Sequence, residues 1–312
     1  MRLSGMLLAM LASPSAALKI PPHVQHFYNE LRSKSDCHRK LSTGFHNSQF
    51  EPGNMSYCGD HLESHGIIYL LGPHGKLSNL DINCDGHSYP ALSDRCRSHA
   101  ANRTFLPSTS IRYLIEDYDV GIPDLNSHIH SFVVFGNTGP PGWDTFDPRE
   151  YGVERASLMI VVCGGHMFYG VWGDTNGAHG PRASVGETSL SLATACFGEG
   201  MGGGDEAHSS HDEPDVLYVA FTGRDAVPGR AGAKWESDSF EEFHASIEPL
   251  GDRLMERIGE SACSWPGHCE GAMCRVAQDC ADNLVCLQGE CGCSWPGHCF
   301  GTSYILSGVF AC

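Results

Sequence analysis

Two carboxylate side chains flank a glycine-rich segment near the middle of the chain. Asp174 ends an apolar stretch, and Glu187 precedes a helical run from Ser189 to Phe197. Hydrolysis of an acetal needs one carboxyl group to protonate the departing oxygen and a second, ionised one to direct water or to attack the sugar. The pair therefore has the residue types for glycoside hydrolysis, although turn formation and helix capping also explain these two residues.

Aromatic and acidic residues near this pair are suited to holding a sugar. Rings beside Asp174 offer apolar faces for stacking, and the segments around Cys58 and Cys84 add carboxylates that would attract an amine. Turns held by disulfides are the alternative interpretation of those carboxylates. The candidate substrate-binding residues are Tyr57, Asp60, Asp85, Tyr169, Trp172 and Asn176.

Other catalytic chemistries have weaker signals. The chain contains neither the Gly-x-Ser-x-Gly motif of serine hydrolases nor the His-Glu-x-x-His motif of metalloproteases. The run from His208 to Glu213 has metal-ligand residue types, but it lies in a glycine-rich, acidic stretch, which favours a solvated loop. We therefore expect no metal and no cofactor.

The charge balance indicates the kind of partner. With 20 basic and 37 acidic residues the net charge is −17, so the surface should repel nucleic acid and attract polycations. Solubility in acidic surroundings explains the same balance. We expect no nucleic-acid partner.

The N-terminus and the cysteine content predict export. One arginine precedes a short apolar run and a small-residue site, which is typical of a signal peptide over residues 1–17. The run is too short to cross a bilayer, and no later stretch is sufficiently apolar. The 15 cysteines are typical of a secreted disulfide-bonded protein, and Asn54 and Asn102 are candidate glycosylation sites. We expect a secreted protein that does not associate with membranes.

The chain divides into a globular body and a cysteine-rich tail. Residues 18–258 have ordinary globular composition, whereas residues 259–312 carry nine cysteines and repeat the heptapeptide Cys-Ser-Trp-Pro-Gly-His-Cys. The spacing suits one six-cysteine disulfide module and an incomplete second copy, rather than zinc. Trp265 and Trp295 would suit polysaccharide binding, and a simple spacer is the alternative.

Short apolar runs bounded by turn residues predict a mainly β body with peripheral helices. One helix is predicted over His23–Leu31 and another over Ser239–Ile258, where Ser239 and Glu242 form a capping box and Pro249 predicts a kink or two abutting helices. The predicted strands are Gly66–Leu71, Leu80–Cys84, Ser131–Gly136, Ser157–Cys163, Met167–Trp172 and Val216–Phe221.

Several motifs in order resemble those of the fungal chitosanases of glycoside hydrolase family 75, over most of residues 23 to 256. They are Tyr57-Cys-Gly-Asp60, Asp81-x-x-Cys-Asp-Gly86, Val133-Val-Phe-Gly-Asn137, Tyr169-Gly-Val-Trp-Gly-Asp-Thr-Asn-Gly177, Gly186-Glu-Thr-Ser189, Asp215-Val-Leu-Tyr218 and Phe221-Thr-Gly223.

The resemblance implies an enzyme that cleaves the β-1,4 bonds of chitosan internally, with inversion at the anomeric carbon, and we expect a monomer. It places the family's essential aspartate on Asp174 and its essential glutamate on Glu187, and it implies a six-stranded barrel, for which a relation to double-psi β-barrel glucanases indicates the double-psi type. Glu187 is assigned as the acid and Asp174 as the base on the expectation that burial or neighbouring acids act on the glutamate; the reverse order stays open. Arg182, between the two acids, is unexpected in a cleft for cationic sugars.

Two other functions remain as alternatives. The protein would be a non-catalytic chitosan- or chitin-binding wall protein if the acids only hold amines and the aromatic residues only stack on sugars. It would be an interaction protein if the tail carries the function. Cleavage of chitosan separates both from the enzyme.

Overall fold

The structure is a computed structural model, and it describes nine segments of the chain. Residues 1–16, the Asn102 sequon, Arg182, and most of the tail with Trp265 and Trp295, lie outside the described residues. The described segments are 17–47, 52–87, 94–96, 106–177, 183–202, 210–258, 274–279, 285–287 and 290–292.

Six strands of the main sheet form a closed ring in the order β9, β4, β8, β5, β7, β6 and back to β9, and β3, β2 and β1 continue the sheet from β9. The mainly β prediction is therefore confirmed. All six predicted strands are present, but the ring takes the unpredicted β8 instead of β3. The strands are β1 Lys40–Phe45, β2 Met55–Cys58, β3 Ile67–Leu71, β4 Ser78–Asn83, β5 Phe132–Asn137, β6 Leu158–Cys163, β7 His166–Asn176, β8 Glu187–Ser189 and β9 Ser210–Phe221.

The strands of the ring are buried on both faces, which explains their continuous apolar sequences. All six residues of β5 and of β6 are buried. Because successive strand residues point to opposite faces, neighbours enter different cores: Phe132 and Val134 join one cluster, whereas Val133 and Phe135 join the other.

The helices pack against the ring and contribute buried residues to both hydrophobic clusters. They are α1 Pro22–Ser33, α2 Leu62–His65, α3 Arg112–Tyr118, α4 Leu190–Phe197 and α5 Phe240–Met255. The Oγ atom of Ser239 accepts a hydrogen bond from the N–H of Glu242, as the predicted capping box requires. The Glu242 carboxylate, however, accepts from the N–H of Asp238, and α5 runs through Pro249 as one helix instead of breaking into two.

Disulfides connect the ends of β2 and β4, which carry acidic motifs, to other segments of the chain. The pairings, which the sequence left open, are Cys37–Cys58, Cys84–Cys96, Cys163–Cys196 and, in the tail, Cys274–Cys286. Cys84 directly precedes Asp85, so the bridge to Cys96 fixes the backbone where β4 ends. No helix within the described residues is both long and apolar enough to cross a membrane.

Candidate active site

Three acidic residues lie in one row across four neighbouring strands. Asp81 on β4 pairs with Glu187 on β8, and Glu187 pairs with Val134 on β5. Val134 pairs in turn with Asp174 on β7. Because adjacent strands lie about 4.8 Å apart, the Cα atoms of Asp174 and Glu187 are separated by two strand spacings, or about 9.6 Å. The two predicted catalytic residues are thus brought together, with a single strand between them.

A bulge in β7 places Asp174 in this row. Val133 pairs with Trp172 and Val134 pairs with Asp174, so Gly173 is the extra residue on β7. A Cβ atom on Gly173 would lie 2.5 Å from the Cβ of Phe132, so only glycine fits. The glycine before Asp174 in the sequence motif therefore sets the register of the acid.

Asp174 is held tightly by the backbone. It is only 5% exposed, and its Oδ1 atom accepts hydrogen bonds of 2.8 Å from the N–H groups of Ser110 and Thr175. Burial raises the pKa of the Asp174 carboxyl, and the charge of Asp85 raises it further, against the opposing effect of the two amide donors.

Asp85 forms a carboxyl pair with Asp174. The two side chains are hydrogen-bonded to each other, and the Oδ1 atom of Asp85 accepts a bond of 2.6 Å from the N–H of Leu106. Burial raises the pKa of Asp85 as well. Since a hydrogen bond between two carboxyl groups needs a proton, the pair holds one proton in common over a range of pH. Asp85 is only 7% exposed. Its carboxyl group therefore contacts Asp174 and does not lie on an open surface.

Glu187 lies in a different environment from Asp174. Its side chain is partly exposed, and its Oε1 atom accepts hydrogen bonds of 3.0 Å from the amide of Asn176 and the hydroxyl of Ser184. The helix α4 begins three residues later, capped by the Ser189 hydroxyl. The burial that the sequence assignment expected at Glu187 is found at Asp174.

Asp81 is a neighbour of Glu187 that was not among the candidate residues. Burial raises the pKa of Asp81 to about 8, and the charge of Glu187 contributes to the rise. Asp81 belongs to the recognised acidic motif, but only strand pairing reveals that it lies beside Glu187. Ser110 and Ser184 were also missed, because loops bring them to the acids and no local pattern marks them.

The predicted sugar-stacking rings are inside the protein. Tyr57, Tyr169 and Trp172 are all buried: the hydroxyl of Tyr57 donates to Asn137, that of Tyr169 donates to Asp252, and the indole of Trp172 donates to the carbonyl of Asp174. A sugar cannot reach their faces in this structure.

Asp60 also serves the fold. Its carboxylate accepts hydrogen bonds from the N–H groups of His38 and Arg39 and from the hydroxyl of Tyr69. Of the predicted binding residues, only Asn176 and Asp85 contact the carboxyl groups of the candidate catalytic pair.

The histidine-rich stretch is more ordered than its sequence indicated. Residues from Ser210 onward belong to β9 rather than to a loop, and ligand atoms of His211, Glu213 and Asp215 lie within 4.8 Å of one another. The His211 ring is already engaged, since Nε2 bonds Asp215 at 2.9 Å and the ring stacks on Phe197.

Comparisons with known proteins show which family the chain resembles. Residues 80–257 match the family described as "Fungal chitosanase of glycosyl hydrolase group 75". The chain is 39% identical to an endo-chitosanase of Aspergillus oryzae over 259 residues, and 37% identical to one of Aspergillus fumigatus over 257 residues. It is 36% identical to endo-chitosanase B of A. oryzae over 256 residues. Each alignment covers 82% of this chain and 98% of the relative.

Proposed function

Since the chain belongs to the fungal chitosanases of glycosyl hydrolase group 75 and is therefore a glycosidase, we propose that it is a secreted, monomeric chitosanase that cleaves β-1,4 bonds between glucosamine residues within the chain. The observation that supports the mechanism is the row in which Asp174 and Glu187 lie in register on two strands, with one strand between them. The alternative of a non-catalytic wall protein is not favoured by the enzymes that the chain resembles.

In this proposal Asp174 is the general acid. Burial and Asp85 raise the pKa of its carboxyl, so it keeps a proton at pH values where an ordinary aspartate is ionised. With Oδ1 accepting two amide hydrogens, the proton belongs on Oδ2. From there it passes to the glycosidic oxygen as the bond to the anomeric carbon breaks. This order reverses the initial assignment.

Glu187 is the general base. As a carboxylate it takes a proton from a water molecule that attacks the anomeric carbon from the face opposite the leaving group. Asn176 and Ser184 hold one of its oxygens, which leaves the other oxygen for the water.

The single strand between Asp174 and Glu187 supports an inverting mechanism. Carboxyl groups of inverting glycosidases lie about 6.5–9.5 Å apart, whereas those of retaining enzymes lie about 5–5.5 Å apart. The two carboxyl groups project from Cα atoms two strand spacings apart, about 9.6 Å, and this spacing allows the wider class with room for the water. The double-psi arrangement of the six-stranded ring remains part of the proposal.

The net charge of the chain suits a cationic polysaccharide. The chain has a net charge of −17, whereas burial raises the pKa values of Asp81 and Asp174 in the row, so the attraction comes mainly from the protein as a whole. Such a field concentrates polycations near the protein surface. Export is supported by the N-terminal apolar run and by the disulfides.

Chitosan digestion tests the proposal directly. We expect the viscosity of a chitosan solution to fall well before many reducing ends appear, because internal cleavage shortens chains fastest. Proton NMR of the first products should show the α-anomer, as inversion of a β bond requires. Absence of new reducing ends would refute the hydrolase, and initial β-anomer would refute inversion.

Asp85→Asn tests the shared proton. Loss of a negative charge beside Asp174 should lower the pKa of the acid, so the alkaline limb of the kcat profile should move to lower pH by about one unit. The acidic limb, which reflects ionisation of the base, should stay in place. The asparagine oxygen still accepts from Leu106. Asp117→Asn, an exposed change on α3, is the control, and identical profiles for both variants would remove Asp85 from this role.

A further inference from the structure

A pocket with a volume of about 290 Å³ opens beside the end of β5. Its size is close to the lower limit of about 300 Å³ for small-molecule sites. The Gly139–Phe146 segment, a Pro-Gly-rich insertion in the sequence, forms one side. The polar and aromatic residues that line this β5 pocket include Ser42, Asn137, Thr138, Asp147, Glu150 and Tyr151.

Residues that line the β5 pocket are hydrogen-bonded to the residues that hold Glu187. The side-chain amide of Asn137 donates to the carbonyl of Ser184 at 2.8 Å, and the Ser184 hydroxyl donates to Glu187. The N–H of Thr138 donates to the carbonyl of Asn176 at 2.8 Å, and Asn176 also donates to Glu187. On each path, two successive hydrogen-bonded residues lie between the pocket and Glu187.

A column of three aromatic rings ends at this pocket. Tyr57 stacks on Phe146 with ring centroids 3.9 Å apart, and Phe146 stacks on Tyr151 at 5.4 Å. Tyr57 and Phe146 are buried, whereas Tyr151 is partly exposed and lines the pocket. The column fixes the orientation of the Tyr151 ring before any ligand binds, which suits stacking on the apolar face of a sugar.

The carboxylates of the pocket leave one negative charge uncompensated. Arg149 donates to both oxygens of Asp147 through Nε and Nη2, and this pairing lowers the pKa of Asp147. Glu150 is exposed, and it forms no ion pair with another described residue. A cation in the pocket would therefore find Glu150 available.

We propose that the β5 pocket is a subsite that binds one glucosamine residue of the chitosan chain, with the sugar ring on Tyr151 and its ammonium group on Glu150. The proposal rests on the proposed function, because it assigns this sugar to the chitosan chain that is cleaved. It assigns substrate stacking to Tyr151 rather than to the buried Tyr57, Tyr169 and Trp172.

Steady-state kinetics on glucosamine oligomers test the subsite. Glu150→Gln should raise KM about threefold to fivefold, the range expected for one exposed ion pair, and leave kcat unchanged, because a contact made equally in the ground and transition states affects KM alone. Tyr151→Leu should raise KM at least as much, whereas Tyr151→Phe keeps the ring and should stay near wild type. Glu256→Gln, an exposed change at the end of α5, is the charge-matched control.

The outcomes separate this proposal from the proposed function. If the wild-type protein fails to cleave glucosamine oligomers, the enzyme assignment fails. If it cleaves them and Glu150→Gln keeps its KM within the range of Glu256→Gln, the subsite is refuted and the enzyme assignment stands. An unchanged KM in a folded Tyr151→Leu variant refutes it equally.

Discussion

Glu187→Gln is expected to lower kcat on chitosan by about 10²–10⁴-fold, the usual contribution of a general base. Glutamine has the shape of glutamate, and its oxygen can still accept hydrogen bonds from Asn176 and Ser184. It cannot take a proton from water. The loss should therefore appear in kcat, measured as the initial rate of reducing-end formation, while the thermal unfolding temperature changes little.

Ser184→Ala separates positioning from proton transfer at this residue. It removes one hydrogen bond to Glu187 but leaves the carboxylate, so we expect a loss of about tenfold, which corresponds to the lower end of the range for one hydrogen bond to a charged group. A Glu187→Gln variant with no greater loss than Ser184→Ala would show that Glu187 does not transfer a proton.

Asp174→Asn should cause a comparable loss of kcat, about 10²–10⁴-fold on chitosan. The asparagine oxygen can still accept from Ser110 and Thr175, and its amide can donate to Asp85, so the buried contacts survive. No proton remains to give to the leaving oxygen. Asp252→Asn, which keeps an acceptor for the Tyr169 hydroxyl, controls for loss of a negative charge.

The leaving group distinguishes the two roles. An aryl glycoside of a glucosamine oligomer departs without protonation, so Asp174→Asn should regain most of its lost rate on that substrate, whereas Glu187→Gln should not. The opposite pattern would restore the initial assignment, in which Glu187 is the acid. If both variants keep their activity, Asp174 and Glu187 are not the catalytic pair.

The sequence predicted the long elements of the fold well, because their patterns are local. Strands such as Ser157–Cys163 are continuous apolar runs bounded by turn residues. The strand β8 has only three residues, and β2 has four, so neither gives a periodic signal. Pairing is not local either, and the contact of Asp81 with the row could not be read from β4 alone.

The prediction that the aromatic residues stack on sugars was wrong for a related reason. Tyr169 and Trp172 flank Asp174 in sequence, and a strand buried on both faces looks the same locally as one that exposes alternate residues. The structure places them in different cores. The proton order was also beyond the sequence, because Asp85 reaches Asp174 from another strand end and Ser110 reaches it from a loop.

Val134 separates the two acids, and this gives the strand order a chemical meaning. Loops can lengthen, and side chains around the cleft can change, without altering the number of strands between Asp174 and Glu187. A substitution at Val134 changes a side chain but not the spacing of the ladder. If the reaction proceeds with inversion at the anomeric carbon, the strand order of the ring determines that stereochemistry, and single substitutions that keep the strand order should not change it. Conversion to a retaining enzyme would require a different strand order.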